Sequence, residues 1–251
     1  MSTAAVADHP PAAIPPTESN STATADSAAI QQGKPQQQQQ QQQPAIVDRL
    51  QLVHHLNNPA VAACELLPGH IVASPYPGRT HTLDLARLPT ASALFARALQ
   101  SLAPVSGDFA TLPYERAFDF GALFAELRRL VAQEHGFAWP RSEFYVVAFR
   151  SVLKDAIDRD RLGLLDEKSH EEAVRSGGLL KYWFGVPDAE RRNLATCFWH
   201  SRQNAADGGK GPWHKQARGA AVMYEAIRFE TRRLTVEEGV SGWKWEDWKD
   251  R

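Results

Sequence analysis

The sequence is poor in cysteine, in net charge and in long apolar runs. Its 251 residues include two cysteines, Cys64 and Cys197. Two thiols exclude a disulfide framework and a four-cysteine zinc site. The formal net charge is −1, which gives no electrostatic drive toward nucleic acid or an anionic membrane. No stretch approaches the roughly 18 apolar residues that span a bilayer. The start lacks the basic and apolar regions of a secretory signal. It also lacks the arginines of a transit peptide, since none precedes Arg49 while Asp8, Glu18 and Asp26 do. These absences predict a cytoplasmic protein without a nucleic-acid or membrane partner. Common catalytic motifs are missing too. Gly208-Gly209-Lys210-Gly211 lacks the spacing of a nucleotide loop. His170-Glu171-Glu172-Ala173-Val174 has Val174 where a zinc-protease helix needs its second histidine. No metal-ligand set and no cofactor follow from the sequence.

Residues 1–45 are a different material from the rest. They contain no aromatic residue, and Gln36 to Gln43 is an unbroken glutamine run. Such a segment cannot offset an ordering cost of roughly 1–2 kcal/mol per residue, so a disordered Pro/Ala/Gln-rich tail is expected. The remaining 27 basic and 26 acidic residues, with all the aromatics, belong to residues 46–251. That length supports a single substantial core.

Within it, residues 46–140 are expected to hold an irregular wrapping segment and two helices, residues 141–238 the main core, and residues 239–251 a Trp-rich end. Thr82 to Leu85 suits a short strand. Leu94, Phe95, Ala98, Leu99 and Leu102 recur at helical spacing, with Thr90 expected as N-cap. Phe120, Leu123, Phe124, Leu127, Leu130 and Val131 form a second stripe, with Gly136 as its stop. Glu143 to Ser151 is a strand apolar on both faces, so both must be covered. A helix over Asp158 to Ser176 follows, then strands over Leu179 to Phe184 and Asn193 to Ser201. A helix from Arg202 to about Ile227, broken at Gly208-Gly209 and restarted by Pro212, leads to a more polar strand over Arg228 to Val236, expected at an edge. The order β-α-β-β-α-β is that of a ferredoxin-like α+β core. The helices of residues 90–135 or a second copy of the chain would cover the sheet's other face. In the latter case the assembly is a homodimer of the dimeric α+β barrel type.

Several side chains are candidates for a site. His214 borders the stripe Trp213, Ala217, Ala220 and Tyr224, and its imidazole suits general-base work. Trp199, Tyr182 and Trp183 on adjacent strands are candidates to line a pocket for a small apolar or aromatic ligand, although core packing also accounts for them. Asn193 and Arg192, at a strand entry, suit an anionic group or a solvated turn. Arg150 ends a mostly buried strand and should pair with a carboxylate or a ligand. His200 follows Trp199 in the same segment. His170 is expected to be a partly exposed helix residue, and Cys197 an inert core thiol. Trp243, Trp245 and Trp248 alternate with charged residues. At roughly 1.5–3 kcal/mol per buried large side chain, docking onto the domain is favoured; a partner-binding segment is the alternative.

Two resemblances rest on these residues. Ala195-Thr196-Cys197-Phe198-Trp199-His200-Ser201-Arg202, followed by Trp213-His214-Lys215, resembles the dimeric α+β barrel superfamily, which includes antibiotic-biosynthesis-type and haem-degrading monooxygenases. There a strand ending in Trp-Glu-Ser leads into a helix carrying a histidine. Trp199 and Ser201 match, and His200 replaces the acid. The resemblance implies a role for His214, which in haem-degrading relatives would be an iron ligand. Ser176-Gly177-Gly178-Leu179-Leu180-Lys181-Tyr182-Trp183-Phe184-Gly185 with Arg192-Asn193-Leu194-Ala195-Thr196-Cys197 is closer to an uncharacterised fungal protein family, over most of residues 65–248. That resemblance implies no activity. The expected function is a small-molecule-binding or cofactor-free oxygenase-like protein. The alternative is a non-catalytic scaffold that uses the C-terminal tryptophans.

Overall fold

The structure is a computed structural model that describes residues 66–250. The expected tail, its glutamine run and the beginning of the wrapping segment lie outside the described residues. Two short strands, β1 (His70–Val72) and β2 (Thr82–Asp84), pair as an antiparallel hairpin. The expectation of irregular structure before residue 80 is thus corrected at β1. A helical layer follows: α1 (Thr90–Ala98), the single turn α2 (Tyr114–Ala117) and α3 (Phe120–Gln133). Thr90 is the first helical residue and not the cap, because Pro89 occupies the cap position without a side-chain bond. At α3 the Asp119 carboxylate accepts from the Ala122 amide at 2.9 Å, satisfying one of the helix's orphan donors.

The core then runs β3 (Ser142–Leu153), α4 (Arg159–Arg175), β4 (Leu179–Phe184), β5 (Arg192–Trp199), α5 (Arg202–Gly208), α6 (Pro212–Gly219) and β6 (Tyr224–Val236). A last strand, β7 (Trp243–Asp247), completes a five-stranded antiparallel sheet in the order β4-β5-β3-β6-β7. Strands β3 to β6 with their helices are the ferredoxin-like β-α-β-β-α-β core. Gly177, at φ +83°, ends α4 in the left-handed conformation glycine tolerates. The expected long second helix is corrected: it stops at Gly219, and β6 begins at Tyr224, four residues before Arg228. The reason is tertiary. Leu153 pairs with Tyr224 after a bulge, so β3 draws this polar segment into the sheet over its whole length. β6 is also not the edge over Arg232–Val236, where β7 flanks it.

The two faces of β3 have different covers. Phe144, Val146 and Ala148 meet the helical layer. Phe95 of α1 is fully buried, with its ring centroid 4.3 Å from that of Phe144 and 6.1 Å from that of Phe198. Tyr114 of α2 is also fully buried, its hydroxyl 2.7 Å from Thr196 Oγ1 on β5. The opposite face carries Tyr145, Val147 and Cys197 and packs under α4 to α6. Of the two expected covers, the chain's own helices occupy the sheet face that a barrel dimer would present to its partner. The C-terminal tryptophans dock as well. Trp243 stacks on Phe124 at 4.2 Å, Trp245 lies 4.9 Å from Phe120, and Trp248 sits edge-on to Tyr145 at 4.9 Å. Among the described residues, no helix is long and apolar enough to cross a membrane.

Candidate functional site

The expected site residues divide between the two faces of the sheet. Tyr182, Trp199 and Asn193 point toward α4 to α6, as alternation with Cys197 on β5 requires. Trp183, Arg150 and His200 lie on the side of the helical layer. Trp183 is packed edge-on between Phe118 and Phe109. Arg150 pairs with Glu230 at 2.9 Å and donates to the Ala110 and Leu112 carbonyls, each at 2.7 Å, so it fastens the helical layer to the sheet. His200 Nδ1 lies 2.7 Å from Ser92 Oγ of α1. Asn193 bonds its own neighbour, the Leu194 amide, at 2.8 Å. Arg192 pairs with Asp188 at 2.7 Å and Glu190 at 2.9 Å.

His214 is held at the start of α6 by a carboxylate from α4. Glu172 accepts from the Trp213 and His214 amides at 2.9 and 3.0 Å, and its Oε2 lies 3.1 Å from His214 Nδ1. Gly211 leaves room for this, since a Cβ there would meet Glu172 Cδ at 2.2 Å. The carboxylate thus caps a helix to which it does not belong. A haem, which the barrel resemblance would bring to His214, does not fit these residues. The Glu172 contact takes only Nδ1 and would leave Nε2 to ligate, so the obstacle is the packing around it. The His170 ring stacks on Tyr182 at 3.5 Å, and a Cβ on Gly208 would meet Trp199 at 2.6 Å. A planar macrocycle has no space there.

Beside His214 lies a polar network that runs beneath α4. Tyr76 and Tyr182 both donate their hydroxyls to Asp166, Tyr182 at 3.0 and 2.9 Å to its two oxygens. Burial, then the charge of Asp166, pushes both phenols well above their ordinary range. His170, expected to be partly exposed, is buried. Its Nδ1 donates to the Asp166 carbonyl at 2.7 Å, and its Nε2 lies 3.7 Å from Cys197 Sγ. Burial lowers the imidazole pKa and raises that of the thiol, so the pair rests neutral and Cys197 is not a thiolate nucleophile. On the other face Lys181 is buried with one side-chain partner, Gln100 Oε1, at 3.3 Å. Burial pulls its amine down to about 8.

An open cleft lies elsewhere, between the β1–β2 hairpin and the C-terminal half of α4. The hairpin is anchored to the sheet, because Tyr182 N donates to the Ala73 carbonyl at 2.6 Å beyond the outer edge of β4. The cleft holds about 320 Å³ and is lined on its charged side by His70, Arg79, Arg87, Arg175, Asp84 and Glu171. Among the described residues, none of these arginines has a carboxylate within 4 Å. Both acids are engaged. Asp84 accepts from the Ala86 amide at 3.0 Å, and Glu171 pairs with Lys168 at 2.6 Å. Gly177 sits against Arg87, where a Cβ would come 3.3 Å from Nη2.

Comparison with known proteins places this architecture. A family model described as PB2B2.08-like matches residues 72–247. The chain belongs to the PB2B2.08-like family. Its similarity to the UPF0643 protein PB2B2.08 of Schizosaccharomyces pombe is 38% identity over 181 residues, 69% of this chain and 82% of that protein. Solved structures match a smaller share. One, from Nitrosomonas europaea and provisionally named an antibiotic biosynthesis monooxygenase, shares 15% identity over 38% of this chain and 92% of its own, with a TM-score of 0.31. Another, a dimeric ferredoxin-like protein of unknown function from Thermobifida fusca, shares 11% identity over 39% and 97%, with a TM-score of 0.29. In this PB2B2.08-like chain, the sequence reading missed Asp166, Glu172, His81 and the cleft arginines. One signal was present. Asp166 with His170 and Glu167 with Glu171 are each four apart, and such pairs share a helix face.

Proposed function

We propose that the protein binds a small anion, a phosphate- or carboxylate-bearing molecule, in the cleft between the β1–β2 hairpin and α4. The supporting observation is that Arg79, Arg87 and Arg175, all exposed, line one open cleft of about 320 Å³ and have no carboxylate within 4 Å among the described residues, although Asp84 and Glu171 share the lining. Guanidinium groups match carboxylate and phosphate oxygens in planar, two-pronged hydrogen bonds. The cleft has room for a ligand of a few heavy atoms beyond the anionic group. This keeps the small-molecule-binding reading and moves it away from the sheet. An oxygenase-like site at His214, Trp199 and Tyr182 has less support, because the Trp199 and Tyr182 rings are packed on Gly208 and His170. A scaffold role for the tryptophans has less support as well, since their rings pack on the domain's own aromatics. A homodimer would have to use a surface other than the covered sheet face, such as the outer edge of β6 over Tyr224–Glu230.

Calorimetric titration of the full chain with inorganic phosphate and with citrate tests the reading. Losing one charged hydrogen-bond donor costs about 1.5–3 kcal/mol, so Arg87→Ala and Arg175→Ala should each weaken binding by roughly ten- to a hundredfold. Arg97→Ala, on the exposed side of α1, should leave it unchanged. Equal affinity in all three variants, or no heat at millimolar ligand, overturns the proposal.

A further inference from the structure

We propose that His81, Glu167 and Glu171 form a site for one divalent transition-metal ion of the zinc class. His81 sits in the turn before β2 and is 1% exposed. Its Nδ1 lies 3.0 Å from Ser74 Oγ, while its Nε2 has no hydrogen-bond partner among the described residues. That nitrogen faces α4, where Glu167 and Glu171 stand one turn apart on the same side. One ligand atom from each of the three side chains lies within 4.8 Å of the others.

The arrangement makes chemical sense around a cation. If Nδ1–H donates to Ser74, the Nε2 lone pair points at two carboxylates, and three electron-rich groups meet where a buried imidazole faces the partly exposed side of α4. The other tautomer does not relieve this, since its N–H would be 3.7 Å from Glu171 Oε1, beyond hydrogen-bond length. A bound cation turns the convergence into coordination, and the Ser74 contact is the outer-shell bond that fixes a ligating imidazole. One nitrogen with two carboxylate oxygens suits zinc or a neighbouring metal and leaves at least one position open. Glu171 also lines the cleft, so an open position there is within reach of solvent or ligand. Bonds of about 2.1 Å in tetrahedral geometry put ligand atoms about 3.4 Å apart, so the carboxylates need only close by roughly 1.4 Å. Both are partly exposed, and Glu171 would exchange its Lys168 contact for the metal. Lys168, 2.6 Å from Glu171, is the resident counter-charge and would swing outward, its side chain being 31% exposed. The inference does not depend on the anion proposal.

The test is titration of the chelator-stripped full chain with Zn²⁺ by calorimetry and with Co²⁺ by visible absorption. One site is expected whose affinity falls at least tenfold in His81→Gln and in Glu167→Gln, with loss of the Co²⁺ d–d bands. Should His81→Gln fail to fold, Glu167→Gln decides, because that side chain is outside the core. Zn²⁺ held by other histidines would survive both substitutions. Unchanged affinity in Glu167→Gln, or no uptake at micromolar metal, overturns the proposal.

Discussion

Replacing Phe95 by alanine tests whether the chain's own helical layer is what closes the sheet. Phe95 is fully buried, and its ring lies 4.3 Å from Phe144 on β3, 6.1 Å from Phe198 on β5 and 6.3 Å from Phe124 on α3. It therefore joins two helices to two strands. Truncating such a ring loses its transfer free energy and leaves a cavity, for about 3–5 kcal/mol. That is a large part of the roughly 5–15 kcal/mol that holds a domain together. Guanidinium unfolding followed by tryptophan fluorescence should show the midpoint falling at unchanged slope. Val222→Ala is the control, because that side chain is 71% exposed and its loss should stay within about 0.5 kcal/mol. If a second copy covered the face, stability would depend on protein concentration. The midpoint is expected to stay constant over a fiftyfold concentration range. A Phe95→Ala loss below about 1 kcal/mol, or a midpoint that climbs with concentration, would refute the reasoning.

Glu172→Ala removes the acceptor for two amides of α6 and the partner of His214 Nδ1, and should cost about 1–3 kcal/mol. Hydrogen exchange should accelerate across Pro212–Gly219 first, and unchanged protection there would contradict the capping role. Lys181 has a pKa drawn by burial from 10.5 to about 8. The unfolded chain keeps that proton up to the higher value, so stability should rise as pH climbs from about 8 to 10.5. Lys181→Met should abolish that rise and stabilise the protein at pH 7, by at most about 3 kcal/mol. Parallel pH–stability curves for the two proteins would count against it.

Strand β3 was legible because its six apolar alternating residues announce two covered faces, and the β-α-β-β-α-β order follows from its neighbours. The alternation of Trp243 and Trp245 with Lys244 and Glu246 is also a period-two signal, yet only a docked Trp-rich end was expected there and the strand β7 was not. The end of α6 was not legible. Ala217 to Met223 carries helical propensity, and only pairing of Tyr224 with Leu153 shows that the strand begins there. Tyr182 and Trp183 were candidates as aromatics on a strand adjacent to that of Trp199, but as sequence neighbours they necessarily fall on opposite faces of β4. The candidate site was harder still. Arg79, Arg87 and Arg175 come from three segments, and His81 meets Glu167 and Glu171 only after the hairpin folds onto α4. No local pattern records such a meeting.

Amide spectra of the ¹⁵N-labelled full chain, recorded during titration with inorganic phosphate, test the proposed binding cleft most directly. The expected result is a set of saturable shifts concentrated at His70, Thr80 to Thr82, Arg87 and Arg175 to Gly177, all in or beside the cleft. Shifts centred instead on Tyr182, Trp199 and His214, or none at millimolar phosphate, would contradict it.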